Sequence, residues 1–184
     1  MVKDSISSLF DLFAALLEYP SAETMGQAQH GLEQIQAVHP EAAEALEKFV
    51  RRLDQLSLEK MRELYTVTFD MQPVCYPYIG YHLFGESYKR GAFMAQLNEA
   101  YHAHNYSAGQ ELPDHLAVTL RFLGLDATQR TGEFCQALLS HGVQPALAKM
   151  LKVFSDDSEN PYVGLLSALQ LFLVTTPEKE LTHA

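Results

Sequence analysis

The chain has 184 residues, of which 47% are hydrophobic and 20% are charged, so length and composition predict one globular domain rather than a disordered protein. The formal net charge of −10 excludes a nucleic-acid partner, because an acidic surface repels the phosphate backbone and no basic stripe offsets that repulsion. A basic ligand would be attracted instead, although an acidic balance also serves solubility alone.

Apolar residues that recur every three or four positions predict four helices in the first part of the chain. Proline ends the first helix at Tyr19-Pro20, and Pro40 suits the first turn of the third. Ser21 and Ser57 are expected to cap the second and fourth helices. These helices are predicted over about Ser5 to Glu18, Ser21 to Val38, Pro40 to Leu53 and Ser57 to Phe69.

The second part of the chain begins with a less regular, tyrosine-rich stretch from Gln72 to Phe84. A long helix is then predicted from Glu86 to about Asn105. Asp126 is expected to cap a later helix that ends at Gly142. The remaining helices are predicted over Pro113 to Leu123, Asp126 to Gly142, Pro145 to Phe154 and Pro161 to Val174.

These patterns predict an all-α, single-domain bundle of about nine helices, with a helical domain over 1–176 and a mobile tail over 177–184. The last helix is apolar on nearly all sides, which predicts a central position. It falls short of the roughly 20 residues that cross a bilayer. Together with two distant cysteines, Cys75 and Cys135, and no secretory pattern, this favours a cytoplasmic protein without stable membrane insertion.

No motif for a metal, a nucleotide or a catalytic nucleophile is present in the sequence. Of the eight histidines, the nearest pair is His102 and His104, whose side chains point to different faces of a helix. We therefore expect no metal site, no catalytic residue and no bound cofactor.

The predicted helix after Pro113 carries a second stripe, formed by His115, Val118 and Phe122, beside its core-facing stripe. Two interpretations remain open at this point. The stripe could line a groove for a partner segment, or the helix could simply be buried on both sides, with Asp114 stabilising its first turn.

An acid/base pair is a further interpretation of Asp114 and His115, together with Glu111. Adjacent side chains diverge on a helix, which disfavours a catalytic pair. Replacing both residues with Asn and Gln would separate a small helical enzyme from a binding protein, because only the enzyme would lose a turnover.

Several short motifs occur in an order typical of a known family. They are Leu16-Leu17-Glu18-Tyr19-Pro20, the Tyr-x-x-Thr-Phe-Asp of Tyr65 to Asp70, Gly85-Glu86 followed by Lys89-Arg90-Gly91 and by Tyr101, and Glu111 to Leu116. In this order the chain resembles the NarJ family of nitrate reductase assembly chaperones, within the molybdoenzyme chaperones that include TorD and DmsD. Glu86, Ala117 and Arg121 depart from the family's pattern, which leaves the client open.

The resemblance implies a protein that is not an enzyme. Such chaperones bind the N-terminal segment of a reductase's catalytic subunit, in a role of unfolded protein binding, until the molybdenum cofactor is inserted before membrane docking or export. It also implies a part in nitrate assimilation and contacts with cofactor-biosynthesis proteins. The client-peptide-binding residues that it implies are Tyr65, Phe69, Asp70, Arg90, Tyr101, Asp114, His115, Val118 and Phe122.

Within that set, Asp114 is expected to attract a basic peptide, and His115, Val118 and Phe122 are expected to supply apolar contact. The expected client is nitrate reductase. Two alternatives are a different enzyme of the DMSO-reductase family with a twin-arginine signal peptide, and a helical adaptor with no cofactor role.

Overall fold

A computed structural model describes residues 5–175, and these form an all-α bundle whose only strand-like feature in that range is one isolated bridge. The helices are α1 Ser5–Leu16, α2 Thr24–Val38, α3 Pro40–Leu53, α4 Leu58–Tyr65, α5 Ile79–Phe84, α6 Tyr88–Ala103, α7 Leu116–Leu123, α8 Ala127–Arg130, α9 Glu133–Ala137, α10 Gln144–Lys152 and α11 Tyr162–Thr175. Two π-helical segments, Thr66–Asp70 and Leu138–Val143, extend α4 and α9.

The core lies around α11, which packs against α3 and α10, while α1 packs against α2 and α7. Phe172 of α11 is fully buried and its ring contacts those of Phe10 and Phe13 of α1. The predicted central position of the last helix is therefore confirmed. Gly164 makes the close approach of α3 possible, because a Cβ atom there would lie 2.9 Å from the Ala45 carbonyl oxygen.

The all-α single-domain prediction is confirmed. Ser21 does not cap α2, which begins at Thr24 after Glu23 and has no side-chain cap, and the predicted helices differ from the structure in three further places.

The stretch from Gln72 to Phe84 contains a short helix, α5, at its end. This helix packs against α10, and the Lys149 ammonium donates a hydrogen bond to the His82 carbonyl oxygen at 2.9 Å. A tertiary contact thus stabilises a helix of six residues, which is too short to be stable by itself.

The second difference concerns the helix predicted to run from Asp126 to Gly142. The Asp126 carboxylate caps α8 as expected, accepting a hydrogen bond from the Gln129 backbone N–H at 2.7 Å. However, α8 ends at Arg130, and the chain turns through Thr131-Gly132 before α9 begins. Gly132 adopts an extended conformation that interrupts the helix.

Gly142 does not end a helix, because α9, the π-helical segment Leu138–Val143 and α10 are continuous. Pro145 lacks an N–H group for the His141 carbonyl, and its ring crowds that carbonyl in a regular α-helix. Widening the preceding turn accommodates the proline, as π-helical segments commonly do for local irregularities.

The third difference is the start of α7, which begins at Leu116 rather than at Pro113.

Among the described residues, no helix is long and apolar enough to cross a membrane. The predicted tail over 177–184 lies outside the described residues.

Candidate functional site

A buried ion pair joins α6 to the segment that precedes α7. The Arg90 guanidinium contacts the Asp114 carboxylate through two hydrogen bonds, Nε to Oδ2 at 2.8 Å and Nη2 to Oδ1 at 3.2 Å. Asp114 is fully buried, and the Arg90 side chain is 15% exposed. Gly80 permits this geometry, because a Cβ atom there would lie 2.7 Å from Asp114 Oδ2. The pair is a bidentate link between two elements distant in sequence.

The same segment is fixed by two backbone hydrogen bonds to the chain before α5. The Ile79 N–H donates to the Asp114 carbonyl, and the Leu116 N–H donates to the Pro77 carbonyl, each at 2.8 Å. Tyr78 lies between them and is paired with His115 in the isolated bridge. Its ring contacts the His115 ring, with centroids 5.4 Å apart, and the Arg90 guanidinium, 5.2 Å from its centroid.

The His115 imidazole forms the N-terminal cap of α7. Its Nδ1 atom accepts a hydrogen bond from the Ala117 N–H at 3.1 Å, so this nitrogen carries no proton. Burial lowers the pKa of His115, and the carboxylates of Glu111 and Glu18 oppose that effect. His115 and Asp114 therefore have separate partners, an arrangement that gives no support to a catalytic acid/base pair.

The groove that the second stripe of α7 could line, one of the two interpretations left open by the sequence, is absent from the described structure. Val118 and Phe122 are buried, and Phe122 packs against the rings of Tyr101 and Tyr106. The Tyr101 hydroxyl donates to the Pro113 carbonyl at 2.8 Å. The interpretation that this helix is buried on both sides is confirmed, so Val118, Phe122 and Tyr101 are core residues here rather than an open contact surface.

The Tyr-x-x-Thr-Phe-Asp motif forms the end of α4 and its π-helical extension. The Thr68 hydroxyl donates to the Leu64 carbonyl at 2.7 Å and accepts from Asn160 Nδ2 at 2.9 Å. Phe69 packs against Tyr162, with ring centroids 4.7 Å apart. The contacts of Thr68 with Asn160 and of Phe69 with Tyr162 thus attach the motif to the start of α11. Asp70, the last residue of the motif, is exposed.

Tyr65 connects this motif with the residues that follow α1. It is 9% exposed, and its hydroxyl donates to the Leu17 carbonyl at 3.3 Å. Burial is the main cause of its raised pKa, and the charges of Glu111, Asp70 and Glu18 raise it further.

These residues surround one region, which we call the acidic aromatic surface. Its carboxylates and Tyr19 are exposed, whereas Tyr65 and His115 are buried. Tyr19 is 55% exposed and its ring meets that of Tyr65 edge-on at 5.5 Å. The Tyr78 hydroxyl donates to Glu111 at 3.3 Å, and burial together with Glu111 raises the pKa of Tyr78 to about 12. The surface consists of Glu18, Tyr19, Tyr65, Asp70, Tyr78, Glu111 and His115.

Two carboxylates of this surface are free to meet a cation. Glu18 forms a bidentate ion pair with Arg121, at 2.8 and 2.9 Å. Within residues 5–175, neither Asp70 nor Glu111 is in an ion pair. The electrostatic role expected of Asp114 therefore fits Asp70 and Glu111 better, because the Asp114 charge is neutralised internally.

Comparison with known proteins gives the chain its family. The sequence model of the nitrate reductase delta subunit family matches residues 33–168, a range that contains α3 to α10 and most of the candidate surface. The chain belongs to the nitrate reductase delta subunit family. The resemblance carried by the short motifs is thereby confirmed.

The chain is similar to two curated proteins, each named nitrate reductase molybdenum cofactor assembly chaperone NarJ, from Escherichia coli strain K12 and from Escherichia coli O157:H7. Each is 33% identical over 116 residues, which are 61% of this chain and 49% of the relative. The chain thus spans about half the length of the curated relatives it matches.

The fold is similar to a crystal structure described as a redox enzyme maturation protein from Archaeoglobus fulgidus. The TM-score is 0.64 at 20% identity, with 95% of this chain and 98% of that chain covered. At this identity the similarity supports the all-α architecture and nothing more specific.

Three residues that help to build the site could not be identified from the sequence motifs. Tyr78 lies in a stretch predicted to be irregular, Gly80 belongs to no motif, and Tyr162 was predicted only as part of an apolar helix. Tyr-Pro-Tyr at 76–78 combines a rigid proline with aromatic rings, which is the signal that could have identified Tyr78.

Within residues 5–175 no group of three or more His, Cys, Asp or Glu side chains could hold a metal ion.

Proposed function

We propose that this protein is a chaperone that assists assembly of a respiratory molybdoenzyme by binding the N-terminal segment of its catalytic subunit. The observation that carries the proposal is the acidic aromatic surface, built largely from the family's own motif residues. Family membership and the printed names of the curated relatives support the same role. On this proposal the protein performs no catalysis and acts by binding alone.

The surface fits an amphipathic peptide with a basic end. Exposed Tyr19 and the edges of Tyr65 and Tyr78 provide apolar contact, and Asp70 and Glu111 provide charge for a lysine or arginine. Aromatic side chains combined with a few charges are typical of groups that dominate peptide recognition. The net charge of −10 would steer a basic segment toward the protein.

The Arg90–Asp114 pair has a positioning role in this proposal. It holds the segment before α7 against α6, and thereby holds the partly exposed Tyr78 and the buried His115 in place. Phe69 acts in the same way by seating Tyr65 on Tyr162. Tyr101, Val118 and Phe122 contribute through the core, so their substitution should affect stability first and binding second.

The direct test is calorimetric titration with a synthetic peptide of the catalytic subunit's N-terminal segment. We expect a dissociation constant near micromolar, about −8 kcal/mol, that weakens as salt rises. Glu111→Gln should weaken binding about twofold to fivefold, since one partly exposed ion pair is lost. Glu44→Gln, an equal change of charge at an exposed position of α3, should leave the affinity unchanged.

Failure of that peptide to bind, with the apo catalytic subunit also failing, would reject the chaperone proposal. Salt-independent binding that Glu111→Gln and Asp70→Asn leave unchanged would retain the chaperone and reject this surface as its charged contact. The two results separate the function from the site.

We propose nitrate reductase as the client, because the family and the named relatives are described by that enzyme. An enzyme of the DMSO-reductase family with a twin-arginine signal peptide is the competing client. Titration with both N-terminal peptides decides between them, and a tighter complex with the signal peptide would contradict the nitrate reductase assignment. Cofactor-biosynthesis proteins are further proposed partners, reached through the bound subunit.

A further inference from the structure

The short segment that follows α1, residues 18–20, is held by arginine side chains from two other helices. From α7, Arg121 forms the bidentate ion pair with Glu18, at 2.8 and 2.9 Å. From α4, the Arg62 Nε–H group donates a hydrogen bond to the Pro20 carbonyl oxygen at 3.0 Å. The two arginines therefore fix this segment at its first and its last residue.

Arg62 also lies against the middle residue of the segment. Its guanidinium carbon is 5.6 Å from the centroid of the Tyr19 ring, a distance typical of a cation–π contact. Tyr19 is 55% exposed, and its ring also meets that of Tyr65 edge-on. Within residues 5–175 Arg62 is in no ion pair, so no carboxylate there neutralises the charge that lies over the ring.

These contacts determine which kind of client side chain the segment can accept. A second cation on the exposed part of the Tyr19 ring would meet the like charge of Arg62 at short range, where repulsion is strongest. The Glu18 carboxylate offers that cation little attraction, because Arg121 already occupies both of its oxygens. An uncharged apolar side chain meets no such repulsion and gains contact with the ring.

We propose that Arg62, together with Arg121, is a positioning residue that holds the 18–20 segment and makes Tyr19 a contact for an uncharged apolar side chain of the client. The basic residues of the client are then left to those carboxylates of the acidic aromatic surface that are in no ion pair among the described residues. This inference rests on the proposed function, because it specifies the chemistry of one contact on the same surface.

The chain contains no tryptophan, so Tyr19→Trp places a single indole beside Arg62 in the full-length protein. Its emission is quenched in one series with acrylamide, which is neutral, and in a second series with caesium ion, which is a cation. Arg62→Gln in this background should raise the caesium quenching constant about twofold to threefold and the acrylamide constant by less, because a like charge is removed. Arg51→Gln, an equal change of charge at an exposed position of α3, should leave both constants unchanged.

The two quenchers separate the effect of charge from that of exposure. Unchanged constants in Arg62→Gln would show that Arg62 neither holds nor shields residue 19. An equal rise for both quenchers would show that Arg62 only packs against the ring and does not exclude cations from it. Either result would overturn the proposal.

Titration with the peptide of the catalytic subunit's N-terminal segment tests the contact with the client. With Tyr19 in place, Arg62→Gln should weaken binding about twofold to fivefold although it makes the protein more acidic, whereas Arg51→Gln should not weaken it. Equal or tighter binding by Arg62→Gln would overturn the contact between Tyr19 and the client. If neither that peptide nor the apo-subunit binds the wild type, the proposed function fails and the client contact with it, whereas the quenching constants still decide whether Arg62 shields Tyr19.

Discussion

Asp114 and His115 are neighbours in sequence, and each has a different structural task. Asp114 is fully buried and pairs with Arg90, whereas His115 caps α7 through a neutral imidazole nitrogen. Both residues hold the backbone segment that presents Tyr78, so their effects on stability can be separated from any effect on binding. The burial of the Asp114 carboxylate and the protonation of the His115 imidazole each lead to a prediction about the stability of the protein.

Arg90→Ala should destabilise the protein by about 3–5 kcal/mol, because it leaves a fully buried carboxylate without its cation. Arg51→Ala is the matched control, since Arg51 also pairs with a carboxylate, Glu47 at 2.7 Å, but its side chain is 73% exposed. That change should cost below about 1 kcal/mol. Urea unfolding measures both values, and equal losses would contradict the importance of the buried pair.

His115→Asn keeps a capping side chain at the start of α7 and removes the titrating group. Because burial lowers the folded-state pKa of His115, the unfolded chain takes up a proton first as pH falls below about 6.5. Wild-type stability should therefore decline relative to His115→Asn below that pH, by at most about 1.4 kcal/mol per pH unit. Urea unfolding at several pH values measures the difference, and a constant difference across this range would refute the assignment.

At the scale of elements, α5 and α6 depend on the close contact at Gly80. Its position leaves no room for a methyl group, which would lie 2.7 Å from Asp114 Oδ2 and 3.0 Å from Arg90 Cγ. The contact lets α5, α6 and the segment before α7 meet at one point. Substitution by alanine should therefore have opposite effects on stability at Gly80 in α5 and at Gly91 in α6.

Gly80→Ala should lower the thermal midpoint by several degrees, because the new methyl group displaces the Arg90–Asp114 pair. Gly91→Ala in α6 should instead stabilise the protein by about 0.4–1 kcal/mol, since no atom lies within 4 Å of its added methyl group. Calorimetric melting of both variants provides the comparison. A stable Gly80→Ala protein would show that the contact at Gly80 tolerates a side chain.

The same elements explain which parts of the fold could be predicted from sequence. Apolar periodicity located α1 to α4, α6 and α11, and Ser57 caps α4 as predicted, since these signals are local. The short helix α5 could not be predicted, because its stability comes from α10, a partner distant in sequence. The continuity of α9 with α10 was missed for a related reason, since a π-helical segment accommodates Pro145.

For the candidate site, the sequence motifs did not reveal which of their residues are buried. Helical spacing alone could not distinguish a stripe facing a groove from one covered by Tyr101 and Tyr106. Nor could it place Arg90 on Asp114, because that contact joins separate elements. The exposed carboxylates at Asp70 and Glu111 become evident only when the segments are assembled.

At the scale of the whole molecule, the acidic aromatic surface lies on a bundle whose core is centred on α11. Most residues of this surface belong to the motifs that carry the family resemblance. A chain with a net charge of −10 should attract basic segments to this surface, with affinities that fall as salt rises.

The most direct test of the assembly role is the molybdenum content of the nitrate reductase catalytic subunit, purified from cells with and without this protein. We predict a subunit that is synthesised but deficient in molybdenum in cells that lack the protein. Wild type should restore the metal content, and the Asp70→Asn, Glu111→Gln double variant should restore less of it. A subunit with full molybdenum content in the absence of the protein would contradict the account.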